Sequence, residues 1–124
     1  MDVKLHLVAA EAAASKTMED TVVLEVGPLI GITDYFVITA GRNDRQVRAI
    51  VDEITSRVRA AGGGSVRRVE GLQAAAWVLL DFGDFVVHVF DAEARAYYGL
   101  ERLWGDAPRV EWAGQLSAEG APSA

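Results

Sequence analysis

"WVLLDFGDFVVHVF", residues 77–90, is two runs of strand-forming residues separated by a turn. Gly83 can take positive φ, and Asp81 and Asp84 suit turn positions. If Phe82 and Gly83 make a two-residue turn, Asp81 stands opposite Asp84. A type I turn closed by a glycine bulge is the other geometry open to the stretch, and it would change the register. In the first arrangement one hairpin face carries Val78, Leu80, Phe85, Val87 and Val89; it is wholly apolar and must be core. The other carries Trp77, Leu79, Asp81, Asp84, Val86, His88 and Phe90, apolar with polar groups at one end. A one-sided antiparallel sheet would show polar residues there. Something has to cover that second face, either a helix of the same chain or another protein. Trp77 is a typical interface anchor, offering roughly 150–250 Å² of contact.

Asp81-Phe82-Gly83 also matches the magnesium-binding tripeptide of protein kinases. A kinase site needs a glycine-rich loop, a strand lysine and a catalytic-loop aspartate together. The only lysines are Lys4 and Lys16, both in the N-terminal segment, and no His-Arg-Asp triplet occurs. The tripeptide reads as a turn.

The chain has 124 residues, enough for one domain. It has no cysteine, which excludes disulfides, thiolate chemistry and cysteine-ligated zinc. The net charge of −6 opposes broad nucleic-acid binding and would attract a basic protein partner. "MDVKLHLVAAEAAASKTMED" mixes charges of both signs among apolar residues. It is expected to be an amphipathic helix of a soluble, cytoplasmic protein, with no membrane segment.

Working outward from the hairpin, Val3, Leu7, Ala10, Ala14 and Met18 recur at helical spacing, with Asp2 as a cap. "TVVLEVG" (21–27) and "TDYFVITA" (33–40) read as strands joined through Gly27, Pro28 and Gly31. Asn43 and Gln46 make a capping box for a helix whose apolar stripe is Val47, Ile50, Val51, Ile54, Val58 and Ala61, stopped at Gly62. "VRRVE" (66–70) is a further strand. Asp91 caps a helix over 92–104, ended by Gly105 and Pro108. The order αββαβββα, with hairpin signals beside separated strands, predicts an α+β fold with a mixed sheet. The tail "SAEGAPSA" is small and polar and is expected to be disordered.

Other candidates for chemistry are weak. A metal site needs several converging ligands, and His88 has only Asp81 and Asp84 as prospective neighbours. Asp81 and Asp84 suit an acid/base pair less than turn formation. Paired directly across the strands they would repel, and a basic partner would relieve that. Gly62-Gly63-Gly64-Ser65 follows a helix and lacks the lysine of a phosphate loop. It invites comparison with the Gly-Ser loop of nucleotidyltransferases, but only Glu70 stands where those enzymes carry two carboxylates. Arg95, Tyr98 and Arg102 fall on one face of the last helix and are either solvated or the rim of a binding surface.

"TDYFVITAGRNDRQVRAIVDEI" (33–54), "VEG" (69–71), "WVLLDFGDFVVHVF" (77–90) and "RAYYGLERLWGDA" (95–107) together resemble the ribosomal silencing factor, or Iojap-like, family. The resemblance runs from about residue 3 to 107 and leaves 108–124 as a tail outside the domain. It implies a five-stranded mixed sheet with flanking helices, similar to nucleotidyltransferases without their active site. It implies no catalysis, no cofactor and no metal. It implies binding to the large ribosomal subunit through its protein fourteen, which sterically blocks joining of the two subunits and represses translation when nutrients are short. On that basis the second hairpin face is a docking surface. Trp77 and Leu79 would bury against the ribosomal protein, Asp81 and Asp84 would meet basic groups, and His88 and Tyr98 would supply hydrogen bonds. Asp34, at the start of the second strand, would contribute or act as a structural cap. The same face, unoccupied, would suit a homodimer. The competing expectation is a magnesium-dependent nucleotidyltransferase-like enzyme using Asp81, Asp84 and Glu70.

Overall fold

A computed structural model describes residues 4–112. Five strands form one mixed sheet in the order β1-β2-β5-β4-β3. They are β1 (Val22–Glu25), β2 (Tyr35–Gly41), β3 (Arg68–Glu70), β4 (Trp77–Asp81) and β5 (Phe85–Asp91). β2 and β5 run parallel at the centre, and the other pairs are antiparallel. The sheet is thus mixed and five-stranded, as the sequence predicts.

One face of the sheet carries helices α1 (Leu5–Ala14) and α3 (Asp44–Val58). In α3 the Asn43 side chain accepts a hydrogen bond from Gln46 N at 2.8 Å, the forward half of a capping box. The return bond comes from Arg42 N to Gln46 Oε1 at 2.7 Å, one residue earlier than the standard pattern. Val47, Ile50, Val51, Ile54 and Val58 are all buried. Each fully buried isoleucine contributes roughly 2 kcal/mol of transfer free energy. After Val58 the helix widens into one π-type turn over Arg59–Gly63, within which Gly62 leaves helical geometry at φ 96.

The α1 stripe is corrected by the structure. The buried residues are Ala9, Ala10, Ala12 and Ala13, whereas Ala14 is exposed and Met18 is 95% exposed beyond the helix end. Small side chains bring α1 close to its neighbours, so the face is chosen by fit more than by hydrophobicity. The expected contributions of Asp2 and Val3 lie outside the described residues.

The opposite face is covered over part of its width by α4 (Ala92–Tyr98) and α5 (Leu100–Leu103). The sequence predicts a single helix there. Gly99, at φ 59, divides it. The Gly-Pro connection between β1 and β2 holds one helical turn, α2 (Gly27–Ile30), with Pro28 in its first turn.

The hairpin turn is also corrected. Phe82 N donates to Phe85 O at 3.0 Å, so the central residues are Gly83 and Asp84. Gly83 has φ 92, and Asp84 is not among the positive-φ residues, the pattern of a type II′ turn. Asp81 therefore stands opposite Val86, not Asp84. The slip relative to the expected register is two residues, an even number, so every side chain keeps its face.

The fold runs past the boundary expected at residue 107. Glu25 N donates to Pro108 O and Val110 N to Val23 O, both at 2.8 Å, and Leu24 bridges to Arg109. This segment covers the outer edge of β1. Trp112 is buried, and its indole donates to Thr21 O at 3.1 Å. The expected disorder of the remaining tail concerns residues 113–124, which lie outside the described residues.

Candidate partner-binding face

Residues paired across a sheet share a face, so the register lays out the surface on the α4 side. One row reads Glu70, Leu79, His88, Ile38, Val22, and the next Arg68, Asp81, Val86, Phe36, Leu24. At the β1–β2 end the rows are roofed. Ile38 and Phe90 are fully buried beneath a cluster that includes Leu100 and Ala107, and Trp104 meets Phe36 edge-on at 5.6 Å between centroids. Towards β3 the roof stops. Trp77, Leu79, Asp81 and Val86 are half-buried, and Tyr98 stands at the edge of the roof, 52% exposed. The covering helix and the open strip foreseen as alternatives are both present, on different halves of the face.

Trp77 lies at the junction of the two halves. Its ring packs on Phe90 at 4.9 Å and Tyr98 at 4.8 Å between centroids. Its Nε1 donates to His88 Nδ1 at 3.1 Å. His88, expected to offer a hydrogen bond outward, is only 4% exposed and is a correction: its Nδ1 serves Trp77, and its Nε2 is buried without a partner. Burial pushes the imidazole pKa down to about 4. Trp77 stands opposite Phe90 and diagonal to His88, within reach of long aromatic side chains.

Asp81 is turned partly inward to the turn, where its Oδ1 accepts from Gly83 N at 2.8 Å. Its cross-strand neighbours are Arg68 and Val86, so the expected repulsion with Asp84 does not arise. Arg68 is itself paired with Glu70 at 3.1 Å. Among the described residues no three acidic or histidine side chains converge, so Asp81, Asp84 and Glu70 do not form a common carboxylate cluster.

Asp34 and Asp84 are brought together, but away from Trp77. Asp34 N donates to Asp84 O at 2.8 Å, and Thr33 Oγ1 donates to Gly83 O at 3.0 Å, which fastens the hairpin tip to the start of β2. Both aspartates line a cavity of about 300 Å³ at that end of the sheet, with Lys4, His6, Tyr35 and Phe82. His6 stacks on Tyr35 at 3.7 Å, and burial together with Lys4 lowers its pKa. The Asp34 main chain is structural as well, since its carbonyl accepts from Val26 N and Gly27 N.

Tyr97, Tyr98, Leu100, Leu103 and Trp104 make the last helical segment apolar on more than one side, and most of them are expected in the core; Leu100 is buried, whereas Tyr97 and Leu103 are highly exposed on the α4–α5 roof. The signal available was their position: both fall outside the buried side of a helix too apolar to bury every large residue.

A family model described as "Ribosomal silencing factor during starvation" matches residues 3–124, so the match continues past residue 107. A ribosomal silencing factor from Halalkalibacterium halodurans is 44% identical over 114 residues, covering 92% of this chain and 97% of that protein. One from Bacillus subtilis is 46% identical over 104 residues, covering 84% and 87%. A crystal structure of a protein from Chromobacterium violaceum superposes with a TM-score of 0.78 at 31% identity, covering 85% of this chain and 88% of that one. On the extent of these matches, in sequence and in fold, the chain belongs to the ribosomal silencing factor family.

Proposed function

We propose that this protein is a non-catalytic translational repressor that binds the large ribosomal subunit through its protein fourteen and bars the small subunit by steric occlusion. The observation that carries the reading is the open strip between the roofed half of the sheet and the exposed strand β3, where Trp77, Leu79, Val86 and Tyr98 are left partly bare. Half-covered aromatics bordering such a strip suit the anchors of an interface. Asp81 at the strip's edge and Asp84 and Asp34 at the end of the sheet suit a basic partner, and the net charge of −6 favours approach to one. A contact of about 800 Å² per partner would support submicromolar binding when the tryptophan is well packed. The family description, with its reference to starvation, supports deployment under nutrient shortage. A second copy of the chain would compete for the same strip as a homodimer.

Sedimentation of intact ribosomes tests this. Added protein should shift them towards free subunits and travel with the large one. Unchanged ribosome profiles at excess protein would refute it. Trp77→Ala should weaken docking by more than about 1 kcal/mol while the domain stays folded.

A further inference from the structure

The indole N–H of Trp77 needs an acceptor, because the ring is half-buried among aromatic carbon. That acceptor is His88 Nδ1, at 3.1 Å. The bond fixes the tautomer: with Nδ1 accepting, the proton sits on Nε2, and that N–H is buried with no partner. Around the imidazole stand Phe36, edge-on at 4.6 Å, and Phe90, stacked at 6.4 Å. A phenylalanine would fill such a place without burying an unsatisfied donor. Histidine therefore carries a cost at this position that stability of the core alone does not explain, and its Nδ1 is the one polar atom in use.

We propose that His88 is a positioning residue, which through Nδ1 holds the Trp77 indole on the rim of the sheet in the orientation offered to the docking partner. The inference rests on the docking reading above. The other ring contacts of Trp77, with Phe90 and Tyr98, are tilted packings that restrain the ring less tightly in angle. The hydrogen bond is directional and selects one setting of the indole. A tryptophan already held in its bound setting has little freedom left to lose on association, which is how pre-organisation raises affinity.

Substitutions at position 88 separate this role from a structural one. Asparagine can place an acceptor oxygen near the position of Nδ1, glutamine places one near Nε2, and phenylalanine offers none. Full-length variants are titrated against purified large ribosomal subunits. His88→Phe and His88→Gln should bind about two- to tenfold more weakly. His88→Asn should lie near wild type, and His88→Phe should unfold at or above the wild-type temperature. The Trp77 indole N–H, assigned by NMR through Trp77→Phe, should exchange slowly in wild type and faster in His88→Phe.

Loss of docking by Trp77→Ala with wild-type docking by His88→Phe would overturn the positioning role and leave the docking face standing. Wild-type docking by Trp77→Ala would remove the face and this role with it. Weakening of all three position-88 variants in step with lost stability would reduce His88 to packing. If His88→Phe does not fold, the asparagine–glutamine order decides, and a wild-type Trp77 indole exchanging as fast as free tryptophan also ends the proposal.

Discussion

Arg95 grips Glu101 across the break at Gly99, with Nε on Oε1 at 2.8 Å and Nη2 on Oε2 at 3.2 Å, while its Nη1 reaches the carbonyl of Asp20. The guanidinium side chain is only 13% exposed, unusual for arginine on a short helix. One residue thus ties α4 to α5 and both to the chain entering β1. The roof over half of the sheet is held in place by this clasp as well as by Leu100 and Trp104 beneath it.

Arg95→Ala should therefore lower stability by about 2 kcal/mol, the range for charge-assisted hydrogen bonds that leave a carboxylate behind. Urea unfolding checks the size. Docking should weaken too, because Tyr98 belongs to the same short helix.

His88 makes the fold acid-sensitive. Its ordinary pKa is 6.5, and burial lowers the folded value to about 4. Between those values the unfolded chain binds a proton that the folded chain refuses. Stability is thus fully present above about pH 6.5 and is lost progressively as pH falls towards about 4, by up to roughly 3 kcal/mol. His6, whose pKa is also lowered, adds a loss of the same sign. Chemical denaturation at a series of pH values, with His88→Phe beside wild type, isolates the His88 share: the variant should have the shallower slope. Equal slopes would mean that His88 titrates normally.

How far this fold is legible in its sequence depends on how strongly each element signals itself. In α3, cap and stripe agree: of the six residues the spacing selects, the structure buries Val47, Ile50, Val51, Ile54 and Val58 and leaves Ala61 half-buried in the turn beyond. In α1, alanine occupies several sides of the helix, so periodicity has nothing to choose between, and packing against α3 selects Ala9, Ala10, Ala12 and Ala13. The hairpin faces were readable because alternation has a period of two and the register error was even; the turn itself was not, since Gly83 serves in either of two frames. Trp77 and Leu79 were legible as surface candidates. The burial of His88 was not, because it depends on a roof made by residues 92–107.

Trp112 gives a test of where the domain ends. Its buried ring packs into the cluster beneath α1 and α3, and its indole closes on Thr21 O. Trp112→Ala should cost about 3–5 kcal/mol, the range for removing a buried tryptophan. Truncation after Ala107 should cost at least as much, since it also uncovers the edge of β1 at Val23 and Glu25. Thermal unfolding of the two variants checks this; a truncated chain as stable as wild type would put the boundary back at 107.

Gly71 tests the link between backbone and docking face. Its φ is 84, and a Cβ there would lie 2.1 Å from the carbonyl oxygen of Trp77, a main-chain atom that cannot swing aside. Gly71→Ala therefore has to push the start of β4 away and carry Trp77 with it. The expected cost is roughly 3 kcal/mol, combining left-handed strain with a backbone clash. Gly62→Ala is the control, because Gly62 has φ 96 with nothing within 4 Å of its Cβ. It should show the strain alone, about 1 kcal/mol. Unfolding free energies give the difference between the two, which measures the contact with Trp77. Large-subunit binding should fall for Gly71→Ala and hold for Gly62→Ala, because only the first displaces the strand that presents the tryptophan. Equal effects of the two changes on stability and on binding would mean that β4 yields to the added methyl without moving Trp77.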